Sequence, residues 1–217
     1  MNISLNLSME TVFLDIECFD KKANSPIIEI AVIDENGKVL FNEYINPGRG
    51  YPLPPYKINE LGFDQYKLET AKSLEYFKPC LLALTKGKGL CTYGQYDLDR
   101  LPWLKDGSIY QDCCQRASDR YGNYNKYHGN HTWISLKSAC EIAGYEVQGT
   151  PHRALTDAES CRQVWLALEN ESPLGQIQIT NHNHGNLLKF PSQSIETFIE
   201  DKVEEVSQEG THEDSPF

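Results

Sequence analysis

Four short runs of β-branched and aromatic residues, each bounded by turn residues, constrain the fold of this chain more than any other feature of its sequence. The first three occupy residues 11–17, 26–33 and 38–45, with an Asn-Gly pair at 36–37 between the last two. Because Asn-Gly is typical of tight hairpins, the spacing predicts three consecutive antiparallel strands. The fourth run, GLCTYG at residues 89–94, predicts a buried strand.

Apolar residues at helical spacing lie between the third and fourth runs and after the fourth. These segments span residues 58–84, about 97–104, 111–121, 134–143 and 156–169, the last with Thr156 as its predicted N-cap. The order of elements is therefore β-β-β-α-β-α-α-α. It predicts an α/β layered domain with a mixed central β-sheet flanked by α-helices.

The distribution of charge divides the chain into two parts. The formal net charge is −11, whereas binding to phosphate normally requires a basic surface. Residues 171–217 contain nine acidic residues and two lysines and so carry −7 of this charge, which leaves −4 on residues 1–170. We expect one folded domain at 1–170 and an acidic, flexible C-terminal tail at 171–217.

Composition also bears on location and on metal chemistry. No apolar run is long enough to span a bilayer, and the N-terminal residues show no secretory signal, so we expect a cytoplasmic protein. The seven cysteines are an odd number without a C-x-x-C pair, which disfavours both a disulfide framework and a zinc site. We expect them to be small buried thiols.

Asp15 and Glu17 lie at the end of the first predicted strand, in the run VFLDIE. A spacing of two residues places both carboxylates on the same face of a strand. Acids are rarely buried in an apolar strand unless they are paired, hydrogen-bonded or bound to metal. An acidic strand end that faces water is the alternative, because about one D-x-E pair is expected by chance in this composition.

The segment HRALTD at 152–157 follows a Gly/Pro turn and opens the last predicted helix. Its H-x-A-x-x-D pattern arises by chance in roughly one sequence in sixty of this composition. It places the imidazole of His152 just ahead of the Asp157 carboxylate, so that a base and a metal ligand could face one pocket. Taken alone, the segment favours an Asp157 that stabilises the helix N-terminus and a His152 on the surface.

The segment YGQYDLDRL at 93–101 follows the fourth predicted strand. Ligand sites in α/β sheets gather at strand ends, so a carboxylate here can point toward the end of the first strand. Asp97 and Asp99 are both candidates. Asp97 is favoured because it begins the predicted helix, whereas Asp99 can pair with Arg100 or with another basic side chain on the helix surface.

Together, FLDIE at 13–17, YGQYDLDRL at 93–101 and HRALTDA at 152–158 resemble the three motifs of the DEDDh exonucleases. These are the DnaQ-like members of the ribonuclease-H-like superfamily. The resemblance covers about residues 10–170 and includes the order and spacing of the motifs. It implies a ribonuclease-H-like fold and a metal-dependent 3′-5′ exonuclease that hydrolyses single-stranded DNA or RNA to nucleoside 5′-monophosphates.

The resemblance also implies a role for each motif residue. Asp15, Glu17, Asp97 and Asp157 would bind two divalent ions, Mg²⁺ or Mn²⁺, and His152 would be the general base. Asp15 would bridge both ions, Glu17 and Asp157 would complete the site of the ion that activates water, and Asp97 would support the other. Oxygen ligands suit these hard cations.

Four further residues are candidates for contacts with the expected substrate, the 3′ end of single-stranded DNA or RNA. Phe19 could stack on a terminal base, and Arg153 could approach a backbone phosphate. Cys18 stands where Thr is frequent in the family, and Gln95 lies where many members have an Asn-containing sequence. Both departures bear on substrate contacts more than on metal chemistry.

Two other functions stay open at this point. One is a catalytically inactive nucleic-acid-binding module of the same fold, which the presence of all five catalytic residue types disfavours. The other is a metal hydrolase of small phosphates, whose cleft would be closed instead of an open groove. The sequence does not distinguish DNA from RNA, since recognition of the 2′-OH depends on groove contacts.

Overall fold

A computed structural model describes residues 9–22 and 24–170 of this chain, and the predicted tail at 171–217 lies outside them. The strands of the main sheet are β1 (Thr11–Cys18), β2 (Ile27–Asp34), β3 (Val39–Tyr44), β4 (Gly89–Thr92) and β5 (Ile109–Asp112). The helices are α1 (Pro55–Asn59), α2 (Gln65–Thr70), α3 (Leu74–Thr85), α4 (Tyr96–Arg100), α5 (Cys113–Tyr121), α6 (Leu136–Ala143) and α7 (Ala154–Glu169). A 3₁₀ turn at Pro102–Leu104 follows α4, and a small hairpin pairs β6 (Tyr124–Asn125) with β7 (Asn130–His131).

The five strands of the main sheet are ordered β3-β2-β1-β4-β5. β1, β2 and β3 are consecutive antiparallel neighbours, whereas β4 is parallel to β1 and β5 is parallel to β4. The predicted mixed sheet with flanking helices is therefore confirmed. β1 lies at the centre, which is the position from which side chains can meet residues from both halves of the sheet.

Side chains of β1 alternate between two cores, one on each face of the sheet. Leu14 and Ile16 point into the core that contains Phe77 and Leu81 of α3. Phe13 points into the opposite core, which α7 fills with the small side chains Ala154, Ala158, Cys161, Val164 and Ala167. Because these side chains are small, α7 packs close to the sheet across β1 and β2.

The first three predicted strands agree with the structure to within one residue at each end. Three other predictions were wrong in detail. Residues 109–112 form strand β5 before α5, although the prediction started a helix at 111. A short β6–β7 hairpin lies before α6, in a segment for which no strand was predicted. Finally, α7 begins at Ala154 with Arg153 at the N-cap, so Thr156 is a helical residue and not the cap.

The expectation of small buried thiols is confirmed, because all seven cysteines are free and buried. Three of them, Cys91, Cys113 and Cys161, bring their sulfur atoms within 4.8 Å of one another between β4, α5 and α7. In the part of the chain that the structure describes, no helix combines the length and the hydropathy that a membrane span requires.

Candidate active site

The end of β1 places two carboxylates on the face of the sheet that α7 covers. Asp15 lies opposite Ala31 of β2, and Glu17 lies opposite Glu29. Since side chains alternate along a strand, both acids share the face of Phe13, which packs in the same core as α7. This is the arrangement that the two-residue spacing predicts. The N-terminus of α7 therefore lies on the same face as Asp15 and Glu17.

The turn before α7 folds back onto the first turn of that helix. The backbone N–H of His152 points at both oxygens of the Asp157 carboxylate, at 3.3 and 3.4 Å. His152 has a φ of 63°, which is uncommon for any residue other than glycine and is typical of strained functional turns. Gly149 has a φ of 104°, and a Cβ there would lie 2.7 Å from Thr156 Oγ1. The Gly/Pro turn thus holds the imidazole beside the carboxylate, with Nδ1 4.0 Å from Oδ2.

The turn between β4 and α4 separates the two acids of the second motif. Gly94, with a φ of 98°, reverses the chain after the strand, and α4 then begins at Tyr96. Asp97 in the first turn of α4 is buried. The side chain of Asp99 is 63% exposed and pairs with Lys105 at 3.2 Å. The structure therefore brings Asp97, and not Asp99, close to Asp15, Glu17 and Asp157. We call these four residues the acidic cluster.

Burial and mutual repulsion make four carboxyl groups hard to ionise, those of Asp15, Glu17, Asp97 and Asp157. Burial is the largest cause in each case. It raises the pKa of Glu17 to about 8, against the opposing effect of Lys57. It also raises the pKa of Asp97 to about 8, against Arg100. The pKa of Asp15 lies well above its ordinary value, because the charges of Asp97, Asp157 and Glu17 add to the effect of burial.

A cation would satisfy an oxygen atom that the protein leaves without a partner. Oδ2 of Asp15 is fully enclosed and accepts no hydrogen bond within residues 9–22 and 24–170. An enclosed polar atom without a partner is rare and unfavourable. Ligand atoms of Glu17, His152 and Asp157 also lie within 4.8 Å of one another. The donor set is rich in oxygen and has no thiolate, which fits a hard divalent cation such as Mg²⁺ or Mn²⁺.

Glu29, which is buried in β2, belongs to none of the three sequence motifs and was not predicted as a site residue. Its carboxylate accepts hydrogen bonds from Arg153 Nε at 3.1 Å and Nη2 at 2.6 Å, and from the backbone N–H of Ala154 at 2.9 Å. Glu29 thus joins the sheet to the first residue of α7. An acid inside the apolar run IIEIAVI was the available signal, since such a residue needs a partner.

We predict that Glu29→Gln lowers the free energy of unfolding by about 2 kcal/mol, because it leaves the half-buried Arg153 guanidinium without its counter-charge. Turnover should fall on the order of tenfold as well, since the N-terminus of α7 carries Asp157 and His152 and small displacements of reacting groups are costly. Urea denaturation and initial rates measure the two effects. Glu159→Gln is the control, because it breaks an ion pair with Arg162 on the same helix. Equal losses in the two variants would contradict a positioning role for Glu29.

Two of the four predicted substrate contacts are not supported by the structure. Arg153 is engaged by Glu29 and also donates to the backbone oxygens of Leu61 and Gly62, so it is not directed at a phosphate. Cys18 is buried in the core on the other face of the sheet, with Leu14 and Ile16, because successive side chains of a strand point to opposite faces. Gln95 is exposed at the N-terminus of α4.

Phe19, the fourth predicted contact, is half-buried directly after β1. Its ring meets the exposed Tyr51 edge to face, with centroids 5.2 Å apart. The two rings present an aromatic surface on which a base could stack.

Comparison of sequences identifies no relative, since no family model and no curated protein sequence matches the chain. Comparison of structures identifies solved proteins with a similar fold. The nuclease domain of 3′hExo, a DEDDh family member bound to rAMP, aligns with a TM-score of 0.55 and 18% identity over 77% of this chain and 94% of that one. A second similar structure is a 3′-exonuclease that recognises the 3′ end of the histone mRNA stem-loop. It aligns with a TM-score of 0.59 and 17% identity over 80% of this chain and 68% of that one.

Exonuclease I in its apo form aligns with a TM-score of 0.55 and 14% identity, over 75% of this chain and 42% of that one. This chain therefore spans less than half the length of exonuclease I, but nearly all of the nuclease domain of 3′hExo. At these identities the likeness establishes the fold. The mixed sheet flanked by helices is the ribonuclease-H-like fold of the DEDDh exonucleases, as the three motifs predicted.

Proposed function

We propose that this chain, whose fold is that of the DEDDh 3′-exonucleases, is itself a metal-dependent 3′-5′ exonuclease acting on single-stranded nucleic acid. The observation that carries the proposal is the cluster of Asp15, Glu17, Asp97 and Asp157, in which Oδ2 of Asp15 is enclosed and has no partner among residues 9–22 and 24–170. Such a cluster is unfavourable in the metal-free protein, and it becomes favourable when cations are bound.

Asp15, Glu17, Asp97 and Asp157 would hold two divalent cations, Mg²⁺ or Mn²⁺. When bound, such ions supply an activated water and neutralise the charge that develops on the phosphate and on the leaving oxygen. The raised pKa values of Glu17 and Asp97, both about 8, follow from the burial of these ligands in the absence of that positive charge.

We propose that His152 moves protons at the rim of the site. Its side chain is 75% exposed, and Nδ1 lies 4.0 Å from the Asp157 carboxylate. The imidazole can therefore accept a proton from the attacking water and release it to solvent, which is the usual role of a general base. Attack of this water on the terminal phosphodiester would break the bond from phosphorus to the 3′ oxygen, which would take a proton from solvent. The products would be a nucleoside 5′-monophosphate and a chain that is one nucleotide shorter.

The exposure of His152 and the nucleic acids named for the similar structures support a proposal for the substrate class. An exposed His152 fits an open groove better than the closed cleft of a small-phosphate hydrolase. 3′hExo was solved bound to rAMP, and the similar 3′-exonuclease recognises the 3′ end of the histone mRNA stem-loop. We therefore propose a 3′ end as the substrate, with RNA and DNA both to be tested.

Digestion of matched single-stranded DNA and RNA carrying a 5′ label tests the proposal directly. With Mg²⁺ we expect a ladder that shortens from the 3′ end, and with EDTA no cleavage. Binding without cleavage in Mg²⁺ would favour the inactive module instead. Hydrolysis of bis-(p-nitrophenyl) phosphate without any ladder would favour the small-phosphate hydrolase.

The acidic cluster also predicts how the stability of the metal-free protein depends on pH. The pKa values of Glu17 and Asp97 rise from ordinary values of 4.5 and 3.8 to about 8 on folding. Between these limits the folded protein binds protons that the unfolded chain does not, so its free energy of unfolding falls as pH rises from about 5 to about 8. In EDTA we expect Tm to drop on the order of 5 °C across this window.

Two comparisons test the cause of this pH dependence. Mn²⁺ should raise Tm more at pH 8 than at pH 5.5, because at the lower pH it competes with protons for the same oxygens. Asp97→Asn removes one of the titrating groups and should make the curve in EDTA less steep. A Tm in EDTA that is constant or rises between pH 5 and 8 would contradict the raised pKa values.

A further inference from the structure

Lys57 is a buried lysine beside the acidic cluster that neither the sequence motifs nor the proposed mechanism accounts for. It belongs to the short helix α1, and its side chain is only 5% exposed. Lysine is almost never fully buried unless its charge is paired. The position of Lys57 therefore requires a partner of opposite charge or a function for the ammonium group.

The partner of Lys57 is a proposed metal ligand. Nζ lies 3.7 Å from Oε2 of Glu17, which is an ion pair but is longer than a hydrogen bond. The rings of Phe63 and Tyr56 lie 4.9 and 5.8 Å from Nζ, within the range of cation–π attraction. These rings hold the ammonium group in place without supplying an acceptor oxygen. Lys57 also lowers the pKa of Glu17, against the effect of burial.

A divalent cation bound to Glu17 would compete with this ammonium group. Two cations that share one carboxylate repel each other, and in a partly buried site the repulsion is poorly screened. Binding of the metal therefore favours movement of Nζ away from Glu17. A lysine side chain has a flexible four-carbon stem and can make such a movement.

We propose that Lys57 is a phosphate-binding residue of this site, which pairs with Glu17 in the metal-free protein and contacts the phosphate of the terminal nucleotide once a cation occupies Glu17. This inference rests on the proposed nuclease function. It adds a residue that the three motifs do not contain, and it makes the binding of metal and of nucleotide interdependent.

Distance and charge both support this role. Two oxygens bound to the same Mg²⁺ lie roughly 3 Å apart, given metal–oxygen distances of about 2.1 Å. A phosphate oxygen bound beside Glu17 would therefore lie within reach of an ammonium group that is 3.7 Å from Glu17. Two divalent cations would neutralise the four carboxylates, and Lys57 would then supply a positive charge opposite to that of a phosphodiester.

Calorimetric titration of wild type and Lys57→Met tests the proposal without requiring turnover. With Mn²⁺ alone at about pH 8.5, where protons compete least for Glu17, the variant should bind the metal at least about threefold more tightly, because the competing cation is gone. With AMP at saturating Mn²⁺, the variant should bind about tenfold more weakly, because a charge-assisted phosphate contact is lost. A role confined to packing would not move the two affinities in opposite directions.

Three further variants complete the experiment. Lys57→Arg keeps the charge and should bind AMP within about threefold of wild type. Lys88→Met removes a lysine that pairs with Glu10 away from the cluster, and it should change neither affinity. Lys57→Gln replaces the Met variant if thermal melting shows that Lys57→Met does not fold.

The outcomes separate this inference from the proposed function. A wild-type protein that binds Mn²⁺ and AMP, with both affinities unchanged in Lys57→Met, would overturn the role of Lys57 alone. Weaker Mn²⁺ binding in the variant would do the same. A wild-type protein that binds neither ligand would overturn the proposed function, and the role of Lys57 with it.

Discussion

Asp15→Asn is expected to lower turnover on a single-stranded 3′ end by a factor on the order of a hundred or more. Asp15 occupies the centre of the acidic cluster, and its Oδ2 is enclosed without a hydrogen-bond donor in the described part of the chain. An amide has the same size but carries no negative charge, so the variant loses a metal ligand and keeps its packing. Asp157→Asn should have a comparable effect, since that carboxylate faces both Glu17 and His152.

The fold of Asp15→Asn should remain intact, and this separates loss of chemistry from loss of structure. Burial and neighbouring carboxylates raise the pKa of Asp15, so the metal-free protein already favours an uncharged group at this position. Tm in EDTA should therefore not fall. Asp106→Asn, at an exposed position, is the control for turnover and should match wild type. A Mg²⁺-dependent rate above a tenth of wild type in Asp15→Asn would refute the two-metal assignment.

Asp97→Asn is expected to reduce turnover on the order of a hundredfold, whereas Asp99→Asn should leave it within about twofold of wild type. The two acids lie on the same short helix, two residues apart, but in opposite environments. Asp97 is buried, and its charge raises the pKa of Asp15. Asp99 is exposed and pairs with Lys105, and an ion pair of this kind contributes little to stability.

This pair of variants is internally controlled, because each replaces the same residue type in the same helix. Initial rates on a labelled oligonucleotide and Mn²⁺ affinity by calorimetry give two readouts. Asp97→Asn should weaken Mn²⁺ binding, and Asp99→Asn should not. If Asp99→Asn proved to be the damaging variant, the second motif would have to be realigned by two residues.

Local sequence spacing was sufficient for most of the elements and for the central pair of acids. The period of two in VFLDIE placed Asp15 and Glu17 on one face, and β1 has that geometry. The turn residues around His152 and Asp157 predicted their proximity, which the structure shows as a hydrogen bond from the His152 N–H. Such features depend on backbone geometry within a few residues, and a sequence displays them directly.

Short and irregular elements were predicted less well. β5 has only four residues and, unlike β4, is not an apolar run. Asp112 at its end also caps α5 by accepting from the N–H of Gln115. The β6–β7 hairpin has two residues in each strand. Elements of this length are decided by pairing with neighbours and not by their own pattern.

The sequence by itself determined the four motif acids, the order of the motifs and the face of β1 on which Asp15 and Glu17 lie. Only the tertiary structure decided which basic side chains pair with acidic residues at the site. Arg153 lies next to His152 in the chain, yet it pairs with Glu29, which is 124 residues away. Lys57 pairs with Glu17 from helix α1, and no motif in the sequence of that helix predicts the contact. The physical reason is the distance along the chain between the partners. Local spacing fixes the directions of side chains within one element, whereas strand register and helix packing bring together charges from separate elements.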